Sequence, residues 1–400
     1  MRRSRSMLVL LLLAACSQPR RAPTFDACET IAAEISTPSP APLHTDGAFF
    51  KDEAGRTVLL RGVNVAGDSK VPPFATITSA EQLDPLVGWG LNTVRLLFTW
   101  EAFEPQPCRY DEEYLRYIER VTDWAEDRGL YVIIDFHQDA FSRFSMNGCG
   151  EGFPEWAVHS SIATYSPDNG LRCKTWGVMM TFDSVTLDTW TAFHRDLEGA
   201  RTRYLAMVER VAARMSSHRN VIGYDVMNEP FGQKYELHDL FEDVGAAIRK
   251  SDPDRILFVP SHPLGPNAPR VSHANISHSP HFYESGVYVS GAWSGTDVGL
   301  PLDQLKQTAD DWQSPMLLGE FGSNVNTGRG NEYLEAIYTW LDQRFVSGTQ
   351  WNYTPGWTPT LKDGWNDEDF SISADSGLRA EIFVPRPYPQ KTAGVPISRS

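Results

Sequence analysis

Residues 131–141 read YVIIDFHQDAF. A short apolar, β-branched run meets Asp135, His137 and Asp139 at alternate positions. Alternate residues of a strand share a face, so the three point one way. One reading is a metal site, since oxygen and imidazole ligands suit several ions. The other is the mouth of a buried parallel strand, whose C-terminal end carries chemistry. The chemistry argued below uses carboxylates and protons and calls for neither metal nor other cofactor. It makes Asp135, one step deeper, a structural hydrogen-bond partner.

Seven further runs resemble this one. They are TVLLRGVNV (57–65), NTVRLLF (92–98), VIGYDVM (221–227), ILFVPS (256–261), NISHSPH (275–281), PMLLGEF (315–321) and GTQWNY (348–353). Helical patterns lie between several of them. DEEYLRYIERVTDWAEDRG (111–129) spaces Leu115, Ile118, Val121 and Ala125 on one face, with Asp111 as expected N-cap and Gly129 as expected C-cap. TRYLAMVERVAARMSSH (202–218) and NEYLEAIYTWLDQRF (331–345) behave alike. Eight strands with alternating helices predict an α/β fold, a (β/α)8 TIM barrel with one catalytic domain over 46–390. An open doubly wound sheet is the rival, and no Gly-rich phosphate turn supports its nucleotide-binding form.

In that barrel the informative polar residues gather at one end. Arg95 lies in the second strand, His137 and Asp139 close the third, and Asn228 and Glu229 close the fourth. His281 and Tyr283 follow the sixth, Glu320 ends the seventh, and Trp351 lies in the eighth. One buried polar residue is ordinary; polar residues at so many strand ends call for a site. Glu229 and Glu320 form its central pair. Two carboxylates across a cleft can cleave a glycosidic bond, one protonating the leaving oxygen and the other attacking the anomeric carbon or activating water. Arg95 and Tyr283 can hold a neighbouring carboxylate anionic, and Asn228 can hold a substrate hydroxyl.

The chain has 400 residues, 41% of them hydrophobic, with 12 Trp, 14 Tyr and 20 Phe, and a net charge of −15. The acidic balance excludes a basic nucleic-acid footprint. The start, MRRSRSMLVLLLLAACSQPR, has a basic n-region and an apolar run too short to span a bilayer. Leu13-Ala14-Ala15-Cys16 resembles a bacterial lipobox. Residues 1–15 then form a lipoprotein signal peptide and Cys16 carries the lipid; the alternative is an ordinary secretory signal cut near Ala15. Residues 16–45, including STPSPAP (36–42), read as a tether, and 391–400 as a tail. The expected location is the bacterial cell envelope, anchored to a membrane. Cys28, Cys108, Cys149 and Cys173 suggest two disulfides in an exported chain, with the expected pairing Cys28–Cys108 and Cys149–Cys173. Zinc is the alternative, without any C-x-x-C pair to support it. Residues 140–184 read as a long loop rich in aromatics, either a lipid-facing wall or a loop with its own core.

VMNEPF (226–231) and LLGEFG (317–322) resemble the two catalytic motifs of glycoside hydrolase family 5, a family of retaining (β/α)8 enzymes. The resemblance covers roughly residues 57–390. It implies Glu229 as general acid/base and Glu320 as nucleophile, with Arg95, His137, Asn228, His281, Tyr283 and Trp351 at the remaining active-site positions. DFHQDAFS (135–142), RGVNVAGDSK (61–70), GWNDEDFSI (364–372) and RPYPQKTAG (386–394) resemble the endoglycoceramidase and glucosylceramidase branch. That branch cuts the β-bond between a glucose or short glycan and ceramide, and some fungal relatives cleave steryl glucosides. It implies that Lys70, His137, Asp139 and Trp351 hold the first sugar. Larger members continue into a β-sandwich after the RPYP segment; here none is expected. The expected substrate is a glycolipid. A soluble β-glucan or aryl glucoside is the alternative substrate, and a glycolipid-binding surface lipoprotein without turnover is the alternative class.

Overall fold

A computed structural model describes residues 40–145, 148–162, 173, 176–265 and 268–396. The expected signal peptide, Cys16 and Cys28 lie outside these residues.

Eight parallel strands form one sheet: β1 (Arg61–Val65), β2 (Thr93–Thr99), β3 (Tyr131–His137), β4 (Val221–Asp225), β5 (Ile256–Val259), β6 (Ile276–His278), β7 (Leu317–Leu318) and β8 (Ser347–Tyr353). Neighbours in sequence are neighbours in space from β1 to β6, and β8 joins β7 to β1. The parallel bridges His278–Met316 and His281–Glu320 link β6 to β7 and close the barrel. Closure leaves no unpaired edge.

The described helices are α1 (Asp84–Gly88), α2 (Glu112–Glu126), α3 (Trp176–Phe182), α4 (Ser184–His194), α5 (Ala200–Met215), α6 (Lys234–Arg249), α7 (Ser285–Ser290), α8 (Gly299–Trp312) and α9 (Gly330–Arg344), besides single turns. Helix α2 shows how local chemistry sets the bounds. The Asp111 carboxylate accepts from the backbone N–H of Glu113 (2.9 Å) and Tyr114 (3.1 Å), as its expected N-cap role requires. The C-terminal expectation shifts: the helix ends at Glu126 with Asp127 as C-cap, and Gly129 serves the turn beyond at φ +72°. A positive φ suits glycine in either place, so the residue alone does not fix the boundary.

Strand alternation builds the interior. On β3, Val132, Ile134 and Phe136 join the core between barrel and helices. Tyr131 and Ile133 face inward to an apolar plug with Ile222, Ile256, Phe258 and Leu317. Above the plug, the inward positions turn polar. Leu43, Phe50 and Val58 extend the plug downward from a four-stranded antiparallel sheet made by His44–Asp46, Phe49–Lys51, Thr57–Val58 and Lys391–Thr392. This sheet corrects three expectations. The run 57–65 is two strands, not one; the tether gives way to a strand at His44; and Lys391–Thr392, expected in a tail, pairs with Thr57–Val58. The linking signal was a long-range pairing that two-residue strands do not advertise.

The segment after β3 has its own core. Phe141 stacks on Phe153 at 4.1 Å, and Phe153 on Tyr204 of α5 at 5.6 Å, with Trp100, Trp190 and Phe193 around them. Cys149 and Cys173 are disulfide-bonded, as expected. Cys108 is exposed and forms no disulfide among the described residues; its expected partner Cys28 lies outside them.

The barrel strands approach too closely at Gly223 for any side chain: a Cβ there would lie 2.1 Å from the Ile256 carbonyl oxygen. Gly223→Ala is therefore expected to destabilise the fold by at least about 1–3 kcal/mol, the usual range for overpacking. A lower urea midpoint at unchanged m-value checks this. An unchanged midpoint contradicts the β4–β5 packing.

Candidate active site

The polar layer above the plug is organised by Arg95, which is fully buried. Its position on β2, with odd-numbered residues inward, aims the guanidinium along the barrel axis. Nη1 donates to Glu320 Oε1 and to Asn64 Oδ1, both at 2.8 Å. Nη2 donates to Asp135 Oδ1, Asp225 Oδ2 and Asn228 Oδ1, each at 2.9 Å. Nε adds a bond of 3.1 Å to Asp225 Oδ2. Burial opposes the charge, but Asp135, Asp225 and Glu320 together hold the guanidinium protonated far beyond its ordinary range. Asp225 is pushed up to about 6 by burial, against the pull of Arg95.

Glu320 is fixed from two sides. Arg95 holds one oxygen, and the Tyr283 hydroxyl donates to the other at 3.0 Å. Burial and the Glu320 carboxylate raise the phenol well above its ordinary range, so it remains a donor. Opposite, Glu229 Oε1 lies 2.8 Å from His281 Nδ1, which is 3.6 Å from Glu320 Oε2. Burial would discharge His281, but Glu320 and Glu229 outweigh it and raise its pKa. Oxygens of Glu229 and Glu320 lie within 4.8 Å of each other. Retaining glycosidases hold their carboxyl groups about 5–5.5 Å apart, and inverting ones about 6.5–9.5 Å. The Glu229 backbone sits at φ +39°, a conformation that favours glycine.

Beside the carboxylates stands a wall of cations and rings. The Lys70 ammonium pairs with Asp139 Oδ2 and lies over the rings of Trp365 (4.1 Å), Trp351 (4.3 Å) and Trp176 (5.7 Å). Lys70 holds the Asp139 carboxyl well below the usual range, against burial. His137 stacks on Trp351 at 5.6 Å, and its Nδ1 meets Asp135 Oδ2 at 2.7 Å. Asn228 Nδ2 donates to the Gln138 carbonyl (3.0 Å) and to Asp139 Oδ1 (3.4 Å). Glu368 Oε1 accepts from Trp176 Nε1 at 3.0 Å, and burial raises its carboxyl to about 7, against Lys70.

Every expected catalytic and sugar-binding residue therefore falls in one connected cluster. Asp135 has the structural role expected, bridging Arg95 and His137. Sequence reasoning assigned no role to Asn64, Gln138, Glu151, Asp225, Trp365 or Glu368, and placed Trp176 only among the aromatics of the 140–184 loop. Asn64 and Asp225 had a readable signal, as polar residues in apolar strands. Trp365 and Glu368 lie in GWNDEDFSI without any periodicity to single them out.

The His137 proton has a stability consequence. Burial opposes it, but Asp135 and Glu151 raise the imidazole to about 10 from an ordinary 6.5. A raised folded-state pKa contributes stability that is complete below 6.5 and is lost as pH rises to about 10. Wild-type protein is expected to lose urea resistance between pH 8 and 10, and His137→Gln to lose less of it. Parallel slopes for the two proteins would show that His137 does not carry this proton.

Comparison with known proteins agrees with this geometry. Endoglycoceramidase I of Rhodococcus hoagii is 27% identical, over 88% of this chain and 73% of its own length. A glucosylceramidase of Rhizopus delemar is 26% identical over 77% of this chain, which spans 54% of that relative. Among solved structures, endo-glycoceramidase II from Rhodococcus sp. in complex with ganglioside GM3 superposes with a TM-score of 0.72 at 22% identity, covering 88% of this chain and 84% of that one. Cryptococcus neoformans sterylglucosidase 1 gives a TM-score of 0.74 at 19% identity, covering 90% and 85%. At such identities the superpositions establish the fold alone. The family model for cellulases, glycosyl hydrolase family 5, matches residues 51–356. With three quarters of its length under that model, the chain belongs to glycosyl hydrolase family 5.

Proposed function

We propose that this protein hydrolyses the β-bond joining a glucose or short glycan to a lipid alcohol, by double displacement. The observation that carries the reading is the Glu229–Glu320 pair, with oxygens within 4.8 Å around His281. Glu320, held by Arg95 and Tyr283, attacks the anomeric carbon as the bond to the leaving oxygen breaks. Glu229 gives that oxygen its proton. Water then attacks the anomeric carbon of the glycosyl-enzyme, its proton passes to Glu229, and Glu320 leaves as carboxylate. The first sugar lies against Trp351, within reach of Lys70, His137, Asp139 and Asn228; polar groups pair its hydroxyls and the indole covers its apolar face.

A lipid leaving group is supported by the cleft on the Glu229 side. It has a volume of about 220 Å³ and is lined by Pro260, Pro263, Phe282 and Leu305 as well as Ser261 and His262. The names of the relatives point the same way. A second cleft of about 300 Å³ meets the first at Tyr283 and carries Trp176, Asn324, Asn326, Asp367 and Glu368. Its amides and rings suit the glycan end of the substrate.

Mass spectrometry of products from glucosylceramide, lactosylceramide, a steryl glucoside and a soluble β-glucan tests the reading. Free ceramide or sterol is expected; turnover of the soluble glucan alone would remove the lipid from the proposal. Glu320→Gln is expected to abolish turnover of every substrate. Glu229→Gln should slow glycolipid hydrolysis about 10²–10⁴-fold, the usual worth of general acid catalysis. With an aryl glycoside whose leaving group needs no proton, that variant should still release an initial burst of phenol.

We also propose that Cys16 anchors the chain to a membrane. The basic n-region, short apolar run and Leu13–Cys16 motif support this. Metabolic labelling with a tagged fatty acid is expected to mark the wild type and not Cys16→Ala. Label on both would place the acyl chain elsewhere.

A further inference from the structure

The segment Cys149–Phe153, CGEGF, runs antiparallel to the end of β3. Asp139 N donates to the Glu151 carbonyl at 3.1 Å, and Glu151 N to the Asp139 carbonyl at 2.8 Å. The approach is too close for side chains on either flank. A Cβ at Gly150 would lie 2.5 Å from the Ser142 carbonyl oxygen, and one at Gly152 (φ +111°) 2.4 Å from Gln138 Cβ. The Cys149–Cys173 disulfide and a bond from Asn366 Nδ2 to the Cys149 carbonyl (3.1 Å) pin the start of the segment.

What this construction delivers is one carboxyl group. Glu151 is wholly buried, and neither of its oxygens has a hydrogen-bond partner among the described residues. Nor has His137 Nε2. These two orphans face each other: Nε2 is 3.4 Å from Glu151 Oε1 and 3.5 Å from Asp139 Oδ2. Buried polar groups without partners are costly, and one proton on the imidazole nitrogen would serve both Nε2 and Glu151 Oε1. Asp135 at Nδ1 already fixes the ring's other end.

We propose that Glu151 is a positioning residue that keeps His137 protonated at Nε2 and so fixes the edge of the sugar wall that Asp139 and Lys70 complete. It touches no substrate; it acts through His137. This rests on the reading that Lys70, His137 and Asp139 hold the sugar. The titratable groups facing Glu151 are His137, Asp139 and Asp135 from β3 and its extension, Lys70 from the loop after β1, and Tyr114 from α2. Burial raises the Glu151 carboxyl to about 8, and the His137 and Lys70 cations oppose the rise. Above that pH its negative charge sustains the imidazolium.

Glu151→Gln retains a carbonyl acceptor of the same shape but cannot ionise. The test follows the ¹⁵N signals of His137 against pH and measures kcat and KM on a glycolipid. In the wild type, His137 is expected to be doubly protonated at pH 8. In Glu151→Gln, the midpoint of the His137 ¹⁵N titration should move down by about one pH unit, tenfold in proton affinity. KM should rise more than kcat falls, and Glu151→Asp should restore part of the shift. A merely structural role would lower thermal stability and leave that midpoint in place, which overturns the proposal. If Glu151→Gln does not fold, the wild-type titration decides alone: a neutral imidazole at pH 8 overturns it. Asp139→Asn separates this inference from the reading beneath it. An unchanged KM there removes the sugar wall itself, whereas a raised KM with a silent Glu151→Gln removes only the role of Glu151.

Discussion

One buried cation organises the upper half of the barrel. Arg95 bonds three carboxylates and two amides from four other strands or their ends, and it is fully buried. Such a group is expensive to desolvate, and a buried ion pair is weak evidence of stability. Its consequence is geometric. The guanidinium is planar with a fixed fork of donors, so each carboxylate it binds is set in place relative to the others. Glu320 inherits both position and charge from that fork. Asp135 inherits its position and passes it to His137; Asn228 does the same for the Asp139 side of the wall. Removing Arg95 would leave three facing acids in a dry interior, which would either take up protons or move apart.

The two halves of the site therefore differ in how they are built. The carboxylate centre rests on strands β2, β3, β4 and β7, whose register is set by the barrel's hydrogen bonds. The sugar wall takes His137 and Trp351 from β3 and β8 but the rest from the connecting segments: Lys70 after β1, Trp176 on α3, and Trp365 and Glu368 after β8. Those segments are tied to each other and to β8 by Lys70 among three indoles and by the Trp176–Glu368 bond. Rigid strands suit chemistry that tolerates little displacement, while loops can vary the sugar accepted.

This division also explains what the sequence discloses. The barrel is legible because each strand is an apolar run, and the period of two tells inward from outward on β2 and β3. Glu229 and Glu320 are legible because they end such runs. Glu151 is not: it lies in no periodic element, and its burial depends on two glycines and a disulfide whose effect appears only when the chain is folded back. Glu368 is hidden for the same reason. The capping sheet escapes notice because strands of two or three residues carry almost no pattern, and Lys391 is more than 300 positions from its partner Val58. Gly129 shows the limit at finer scale, since its positive φ fits a cap and a turn equally.

The acid/base position follows from the same logic. Glu229 stands on a backbone at φ +39°, a conformation that costs a non-glycine residue about 1–3 kcal/mol. Glycine would relieve the strain but bring no carboxyl. The surroundings hold the turn instead: Gln138 Nε2 donates to the carbonyls of Asn228 (2.6 Å) and Glu229 (3.2 Å), and Asn228 N donates to the Phe136 carbonyl (3.0 Å). The third strand thus serves twice. Its inward residues brace the nucleophile through Arg95, and its first residue past the strand grips the backbone beneath the acid. A shift of β3 along its neighbours would disturb both carboxylates together, so the spacing between them is a property of strand register more than of either glutamate.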